Sequence, residues 1–120
     1  MEIKDPQTRM VVHKRIVKKG GETADYQVYE GDPNMSQEQS DSLATQLGDG
    51  NARVTASREL SIGDYGNGVK VMVSVSANCH QATPNVNYTL DILKEITATN
   101  CEKFLEEGKA QAVALGLLKP

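Results

Sequence analysis

Residues 52–79 read ARVTASRELSIGDYGNGVKVMVSVSANC, and this stretch decides the fold. Apolar and polar side chains alternate over eleven residues from Ala52 to Ile62, and again over eleven residues from Val69 to Cys79. A period of two on each side of a glycine-rich turn predicts two antiparallel strands joined as a β-hairpin. Pairing Ile62 with Val69 sets the register, because a slip of one residue would exchange the two faces.

The predicted hairpin has one apolar face, and Arg58 interrupts it opposite Val73. A charge at that position is costly unless it is paired. We expect the stem of Arg58 to pack while its guanidinium pairs with an acid of the covering helix, such as Glu95 or Glu102. The alternative is an anion contact near an open sheet edge.

The other face of the hairpin is polar and carries a row of hydroxyls between Arg53 and Lys70, namely Thr55, Ser57, Ser74 and Ser76. Such a row fits a solvated face. It also fits a contact surface for a second sheet or for a nucleic-acid backbone, since hydroxyls and basic side chains both contact phosphates. This face has no aromatic side chains, which argues against binding by base stacking.

A long helix is predicted to cover the apolar face, because a lone hairpin is marginally stable in water. Thr83 is a suitable N-cap, and Pro84 suits the first helical position. Apolar residues then recur at helical spacing up to Phe104, and we expect the helix to span 84–107. Gly108 is a weak point, after which the chain either continues the helix or starts a second one.

The first half of the chain predicts a second set of strands and a short helix. Residues 1–9 are predicted to form a flexible arm, 10–18 a strand and 25–30 a return strand after the glycine pair at 20–21. Ser36 and Gln39 have the spacing of a capping box, which predicts a short helix near 36–47. We therefore expect one α+β domain over 1–120, with an antiparallel sheet of two to four strands.

Composition limits the classes of function. The net charge is −3, but residues 1–19 carry +4 and the remainder −7. No apolar run reaches the ~20 residues of a membrane-spanning helix, and no secretory signal opens the chain. Two cysteines among 120 residues make no disulfide framework. These features predict a cytoplasmic protein without a membrane, and the scarcity of aromatic residues favours a homo-oligomer.

Catalytic and metal chemistry is not expected from this sequence. The soft metal ligands are His13, Cys79, His80 and Cys101, and a structural zinc site normally needs four ligands in closely spaced pairs. Neighbouring residues of a strand point to opposite faces, so Cys79 and His80 do not form a nucleophile–base pair. The two cysteines are expected to be small core residues. We expect no enzyme, no cofactor and no metal.

The segment SRELSIGDYGNGVKVMVSVSANC, residues 57–79, resembles a segment of small uncharacterised proteins from tailed bacteriophages. There too, a hairpin that ends near a cysteine precedes an amphipathic helix, and the resemblance extends over residues 53–107. It brings no catalytic or binding residues. It implies a phage or prophage origin and an accessory role: nucleic-acid handling, virion assembly or binding of a host factor. The chain would then act in the host cytoplasm or in the virion.

The leading hypothesis is an accessory protein that binds DNA or RNA through its basic N-terminal region and its sheet face. The alternative is a structural or assembly subunit of a virion, or an inhibitor that binds a host protein. The residues predicted to contact nucleic acid or a protein partner are Lys14, Arg15, Lys18, Lys19, Arg53, Arg58, Tyr65 and Lys70. Tyr65 is included as an exposed anchor at the hairpin tip.

Overall fold

The computed structural model describes residues 8–46 and 50–120. Four strands form one antiparallel sheet in the order β2-β1-β4-β3, and a long helix packs on one face. The elements are β1 (Arg9–Val17), β2 (Thr23–Gly31), α1 (Gln37–Ala44), β3 (Ala52–Asp64), β4 (Asn67–Cys79) and α2 (Thr83–Ala114). The predicted α+β class, with a hairpin-based sheet under a long C-terminal helix, is confirmed.

The β3–β4 hairpin has the predicted register. Ile62 pairs with Val69 and Ala52 with Cys79, so the valine-rich side of β4 faces α2 and is buried. The turn is shorter than predicted, because the strands continue to Asp64 and Asn67. Only Tyr65 and Gly66 lie between them, with φ of 50° and 86°. Positive φ at both central residues is the type I′ geometry that matches strand twist.

The β1–β2 hairpin adds the other two strands. Val12 pairs with Val73 of β4 on one side and with Tyr29 of β2 on the other, so β1 lies at the centre of the sheet. The arm predicted over 1–9 ends too late by at least one residue, because strand β1 begins at Arg9. Residues 1–7 lie outside the described residues. The predicted return strand is extended by two residues at its start and one at its end.

Helix α2 continues beyond Gly108, one of the two alternatives that the sequence left open, and its N-cap differs from the predicted one. Ala82 is the N-cap, so Thr83 is the first helical residue and Pro84 the second. The helix continues through Gly108 to Ala114. Gly108 is buried at a close approach of α2 to the sheet: a Cβ added there would lie 2.6 Å from Val69 Cγ1 and 3.3 Å from Lys14 Cδ. Glycine is thus a requirement of close packing at this position.

The connection from β2 to β3 is held against α2. Asn100 is buried, its Oδ1 accepts from the backbone N–H of Asn34 at 3.1 Å, and its Nδ2 donates to the Asn34 carbonyl at 2.8 Å. Ser36 and Gln39 form the predicted capping box of α1. The helix ends at Ala44, before the predicted end near 47, and residues 47–49 lie outside the described residues.

Candidate nucleic-acid interface

The sheet has two faces that differ in cover. We call the side under α2 the inner face and the opposite side the outer face. The outer face is formed, strand by strand from β2 to β3, by Tyr26, Val28 and Glu30; Arg9, Val11, His13, Arg15 and Val17; Lys70, Met72, Ser74 and Ser76; and Arg53, Thr55, Ser57, Glu59 and Ser61. Because the described helices lie on the inner side, this face is available for a partner.

The two hairpin turns lie side by side at one end of the sheet. Since β1 and β4 are antiparallel neighbours, the end of β1 meets the start of β4, and Val17 pairs with Gly68. The backbone N–H of Lys19 donates to Asn67 Oδ1 at 2.6 Å, which fixes one turn against the other. The structure thereby brings residues of the basic N-terminal region next to the tip of the β3–β4 hairpin.

Two like charges face each other just below these turns. Arg15 and Lys70 are direct partners on the two central strands and point to the outer face. Arg15 Nε donates to Thr23 Oγ1 at 3.1 Å, and Lys70 Nζ lies 3.2 Å from Glu59 Oε1, with both members of the ion pair half exposed. Like charges directly opposite on paired strands are destabilising. A bound anion at this point would offset that cost.

We call Arg15, Lys18, Lys19 and Lys70 the basic end. Tyr65 stands beside it at the tip of the turn, with 85% of its surface exposed and a backbone φ of 50°. A positive φ is uncommon for a large side chain. This exposed ring contributes little burial to the fold, and it stands next to the cations of the basic end.

Sequence reasoning missed one aromatic side chain of the outer face. Tyr26 on β2 lies there, 54% exposed, and its hydroxyl is 2.6 Å from His13 Nδ1. The absence of aromatic residues holds for the β3–β4 half of the face but not for the four-stranded whole. The pairing of β1 with β4 brings Tyr26 into this face, and no local sequence pattern reports that pairing.

Two of the predicted site residues, Lys14 and Arg53, lie away from the basic end. Lys14 is 5% exposed on the inner face, because its neighbour Arg15 takes the outer face of the same strand. Arg53 lies at the opposite end of the outer face, where it donates to Asn78 Oδ1 at 3.1 Å and Ser76 Oγ at 2.7 Å. The structure therefore does not assemble these residues with the basic end.

Arg58 is exposed on the inner side of the edge strand β3. The predicted pairing with Glu95 or Glu102 is wrong: among the described side chains, the one ion pair within 4.0 Å joins Lys70 and Glu59. The charge escapes burial at the open side of this edge strand, although Val54 and Ala56 on the same face are buried.

The hydroxyl row lies on the outer face as expected. Ser57 Oγ and Ser74 Oγ are 2.8 Å apart, and Ser76 Oγ accepts from the Arg53 guanidinium. Accepting from Arg53 leaves the Ser76 hydroxyl proton available to a further acceptor. On the β3–β4 half of the outer face, hydroxyl groups thus lie between the basic end and Arg53, whereas the middle of the face also includes Val11, His13 and Met72.

Both cysteines are buried free thiols, as predicted. Cys101 Sγ lies 3.7 Å from the Arg58 carbonyl oxygen and 3.9 Å from that of Val71. Cys79 lies on β4 eight residues after Val71, which is about 27 Å at strand spacing. The two thiols therefore do not approach each other. Burial raises the pKa of the Cys101 thiol, although the nearby Arg58 charge opposes the rise. Within 8–46 and 50–120, no group of three metal-ligating side chains is found.

Comparison with protein-family models, curated proteins and solved structures gives no match to this chain. In the part of the chain that the structure describes, no helix is both long and apolar enough to cross a membrane. Function is therefore inferred from the chemistry of its own surfaces.

Proposed function

We propose that this chain is a non-enzymatic, phage-type accessory protein that binds nucleic acid at its basic end and along its outer sheet face. The observation that carries the proposal is the like-charged pair Arg15 and Lys70, which lies beside two joined turns bearing Lys18 and Lys19. Phosphate oxygens would neutralise these cations, and counterion release would favour the complex. The phage-type origin rests on the resemblance of residues 57–79.

The polar groups of the face favour contact with a phosphate backbone. Arginine, lysine and hydroxyl side chains supply most of the contacts that proteins make to phosphate and sugar. The cations at Arg9 and Arg15 are six residues apart on β1, about 20 Å at strand spacing. A ligand that bridges them along β1 would pass Val11 and His13, with the Ser74 hydroxyl of β4 beside it, and such a span suits an extended polyanion better than a small one.

The exposed rings favour a single strand over a duplex. Tyr65 at the tip and Tyr26 on the face are both exposed next to cations of the basic end. Stacking of a base on an aromatic side chain stabilises single-strand binding by about 1–3 kcal/mol per base. Bases inside a duplex do not present their faces in this way, so the rings would add nothing there.

The direct test is a fluorescence anisotropy titration with labelled single- and double-stranded oligonucleotides at low salt. We expect the single strand to bind more tightly, and the double variant Lys18→Glu with Lys19→Glu to weaken binding at least about tenfold. If four cations each contact one phosphate, log K should fall against log salt with a slope of about −3 for a single strand.

The matched control is Lys94→Glu with Lys103→Glu, which changes the net charge equally on the exposed side of α2. It should bind nearly as the parent does. If both double variants lost the same affinity for the single strand, net charge and not the basic end would explain the loss. Absence of binding at micromolar protein would overturn the proposal.

Tyr65 separates a binding role from a folding role. Asparagine tolerates positive φ better, so Tyr65→Asn should raise the free energy of unfolding by up to about 1 kcal/mol. The same variant should weaken single-strand binding while leaving duplex binding unchanged. A variant that is more stable and binds as well as the parent would remove Tyr65 from the site.

The second candidate, an assembly subunit or a protein that binds a host factor, is favoured by a different observation. The outermost strand β2 exposes three large side chains, Tyr26, Val28 and Tyr29, each close to half exposed. Exposed apolar residues on an edge strand are typical of protein contact sites. Such a protein would assemble or capture a protein partner and ignore DNA and RNA.

A further inference from the structure

The edge strands β2 and β3 each have one side without a neighbouring strand, and their directions would allow β3 of one copy to pair with β2 of another. Each neighbouring pair in the order β2-β1-β4-β3 is antiparallel, so β2 runs opposite to β3. If a second copy placed its β2 beside β3, the antiparallel alternation would continue and both long helices would lie on the same side. Backbone groups on the outer side of each edge strand would then gain partners.

The two edge strands carry opposite charges at the same spacing. On β2 the acids are Asp25 and Glu30, and no lysine or arginine occurs from Gly20 to Asn51. On β3 the arginines are Arg53 and Arg58. Both pairs are five residues apart, and in antiparallel strands the order along one strand is reversed on the other. A single register therefore matches both acids with both arginines.

We propose that this chain associates head to tail with copies of itself, β3 of one copy pairing with β2 of the next. In this register Asp25 lies opposite Arg58, and Glu30 lies opposite Arg53. Residues 25–31 pair with residues 52–58. The uncharged pairs between them are Tyr26 with Ser57, Gln27 with Ala56, Val28 with Thr55 and Tyr29 with Val54.

The faces of the sheet agree with this register. Asp25 pairs with Ile16 and Arg58 with Val73, and both of these partners are buried on the inner face. Glu30 and Arg53 both belong to the outer face. Because directly opposite residues of antiparallel strands point to the same side, each acid meets its arginine on one face. The exposed β2 side chains become covered by uncharged neighbours.

Association of like edges is disfavoured by charge. Two β2 strands would bring together acids only, and like charges placed opposite each other destabilise a strand pair. Glu59, the acid of β3 next to Arg58, falls opposite Ala24 in the head-to-tail register and meets no like charge. The pairing also gives a partner to Arg58, which has no acid within 4.0 Å among the described side chains of its own copy.

The contact is heterologous, because it joins two different surfaces. Any open row of copies retains one free edge of each kind at its ends, so the copies form either a closed ring or an open filament. The basic end and most of the outer face stay uncovered. The contact leaves the basic end free but covers Tyr26, so assembly and nucleic-acid binding are separate proposals that compete at that ring, and either can fail without the other.

The test uses two charge-reversed full-length variants, each measured alone and mixed by sedimentation velocity or light scattering after gel filtration. Variant one is Arg53→Glu with Arg58→Glu, and variant two is Asp25→Lys with Glu30→Lys. Each alone has like charges at both edges, so we expect the dissociation constant of the contact to rise at least about tenfold. An equimolar mixture has opposite charges at every contact, and we expect assembly to return.

Restored assembly in the mixture would also show that both variants are folded. Lys94→Glu with Lys103→Glu matches the first variant in charge change, Glu95→Lys with Glu102→Lys matches the second, and both should assemble as the parent does. A parent chain that is monomeric at tens of micromolar in low salt would overturn the inference. So would a closed dimer that neither edge variant disrupts, or a mixture that stays monomeric.

Discussion

Both hairpins of the sheet consist of two antiparallel strands joined by a glycine-containing turn, but helix α2 covers them to different extents. In the β3–β4 hairpin the strands are 13 residues long, α2 packs against both, and the inner-face residues of β4 from Val69 to Cys79 are all buried. In the β1–β2 hairpin the strands are nine residues long, and β2 exposes Tyr26, Val28 and Tyr29. The helix covers β4, β3 and part of β1 and reaches β2 through the ring contact of Phe104 with Tyr29, so most of β2 is left for other contacts.

The largest expected effect compares one substitution in the two hairpins. Val73 of β4 is fully buried, whereas Val28 of β2 is 56% exposed. Val73→Ala should lower the free energy of unfolding by about 2 kcal/mol, through lost burial and the cavity left behind. Val28→Ala should change it by less than about 0.5 kcal/mol. Urea unfolding followed by circular dichroism measures both, and similar losses would contradict the difference in cover.

A smaller effect is expected where α2 touches the centre of the sheet. Gly108→Ala gains helix propensity, but its Cβ would collide with the buried Val69, and overpacking costs about 1–3 kcal/mol. We expect a net loss of stability of about 1 kcal/mol. In a Val69→Ala background the same change should become neutral or stabilising. If Gly108→Ala is stabilising in the parent chain, the close approach of α2 to β4 is wrong.

The smallest effect is the pH dependence of the covered hairpin. Burial raises the folded-state pKa of Cys101 above its ordinary value of about 9. Above that pH the unfolded chain releases the thiol proton more readily than the folded chain, so stability falls as the pH rises. The contribution is fully present below pH 9 and is lost as the pH rises through the folded-state pKa.

The control for this pH effect is Cys101→Ser, which cannot ionise in this range but keeps a donor near the Arg58 carbonyl. The stability of the parent minus that of the variant should decline from pH 8.5 to 10 in unfolding curves. A constant difference would mean that the thiol has the same pKa in the folded and unfolded chains.

The sequence predicted the β3–β4 register because a single register buries the apolar side of this hairpin. A slip of one residue would expose the valines of β4. It also predicted the capping box of α1, which depends on residues three apart. It did not predict that β1 pairs with β4, since that contact joins segments more than fifty residues apart. The outer-face Tyr26 and the joined hairpin turns follow from this pairing.

Two errors in the candidate site have different physical origins. Lys14 and Arg15 were grouped as one basic cluster, although adjacent strand residues point to opposite faces, so the sequence itself could have separated them. For Arg58 the sequence left two partners open, a helix acid or an anion near an open sheet edge, and the strand order is needed to show that β3 is an edge. Without the strand order, a charge on an apolar face is indistinguishable from a charge in the core.

The central claim is that β1 and β4 form the protected middle of the sheet and that β2 and β3 are its free edges. Residue-by-residue amide hydrogen exchange by NMR tests it most directly, in dilute protein at high salt so that edge contacts between copies dissociate. We expect the slowest exchange along β1 and β4, and fast exchange at alternate amides of β2 and β3, those that point away from the sheet. Uniform protection along β2 at the level of β4, or fast exchange within β4, would contradict the claim.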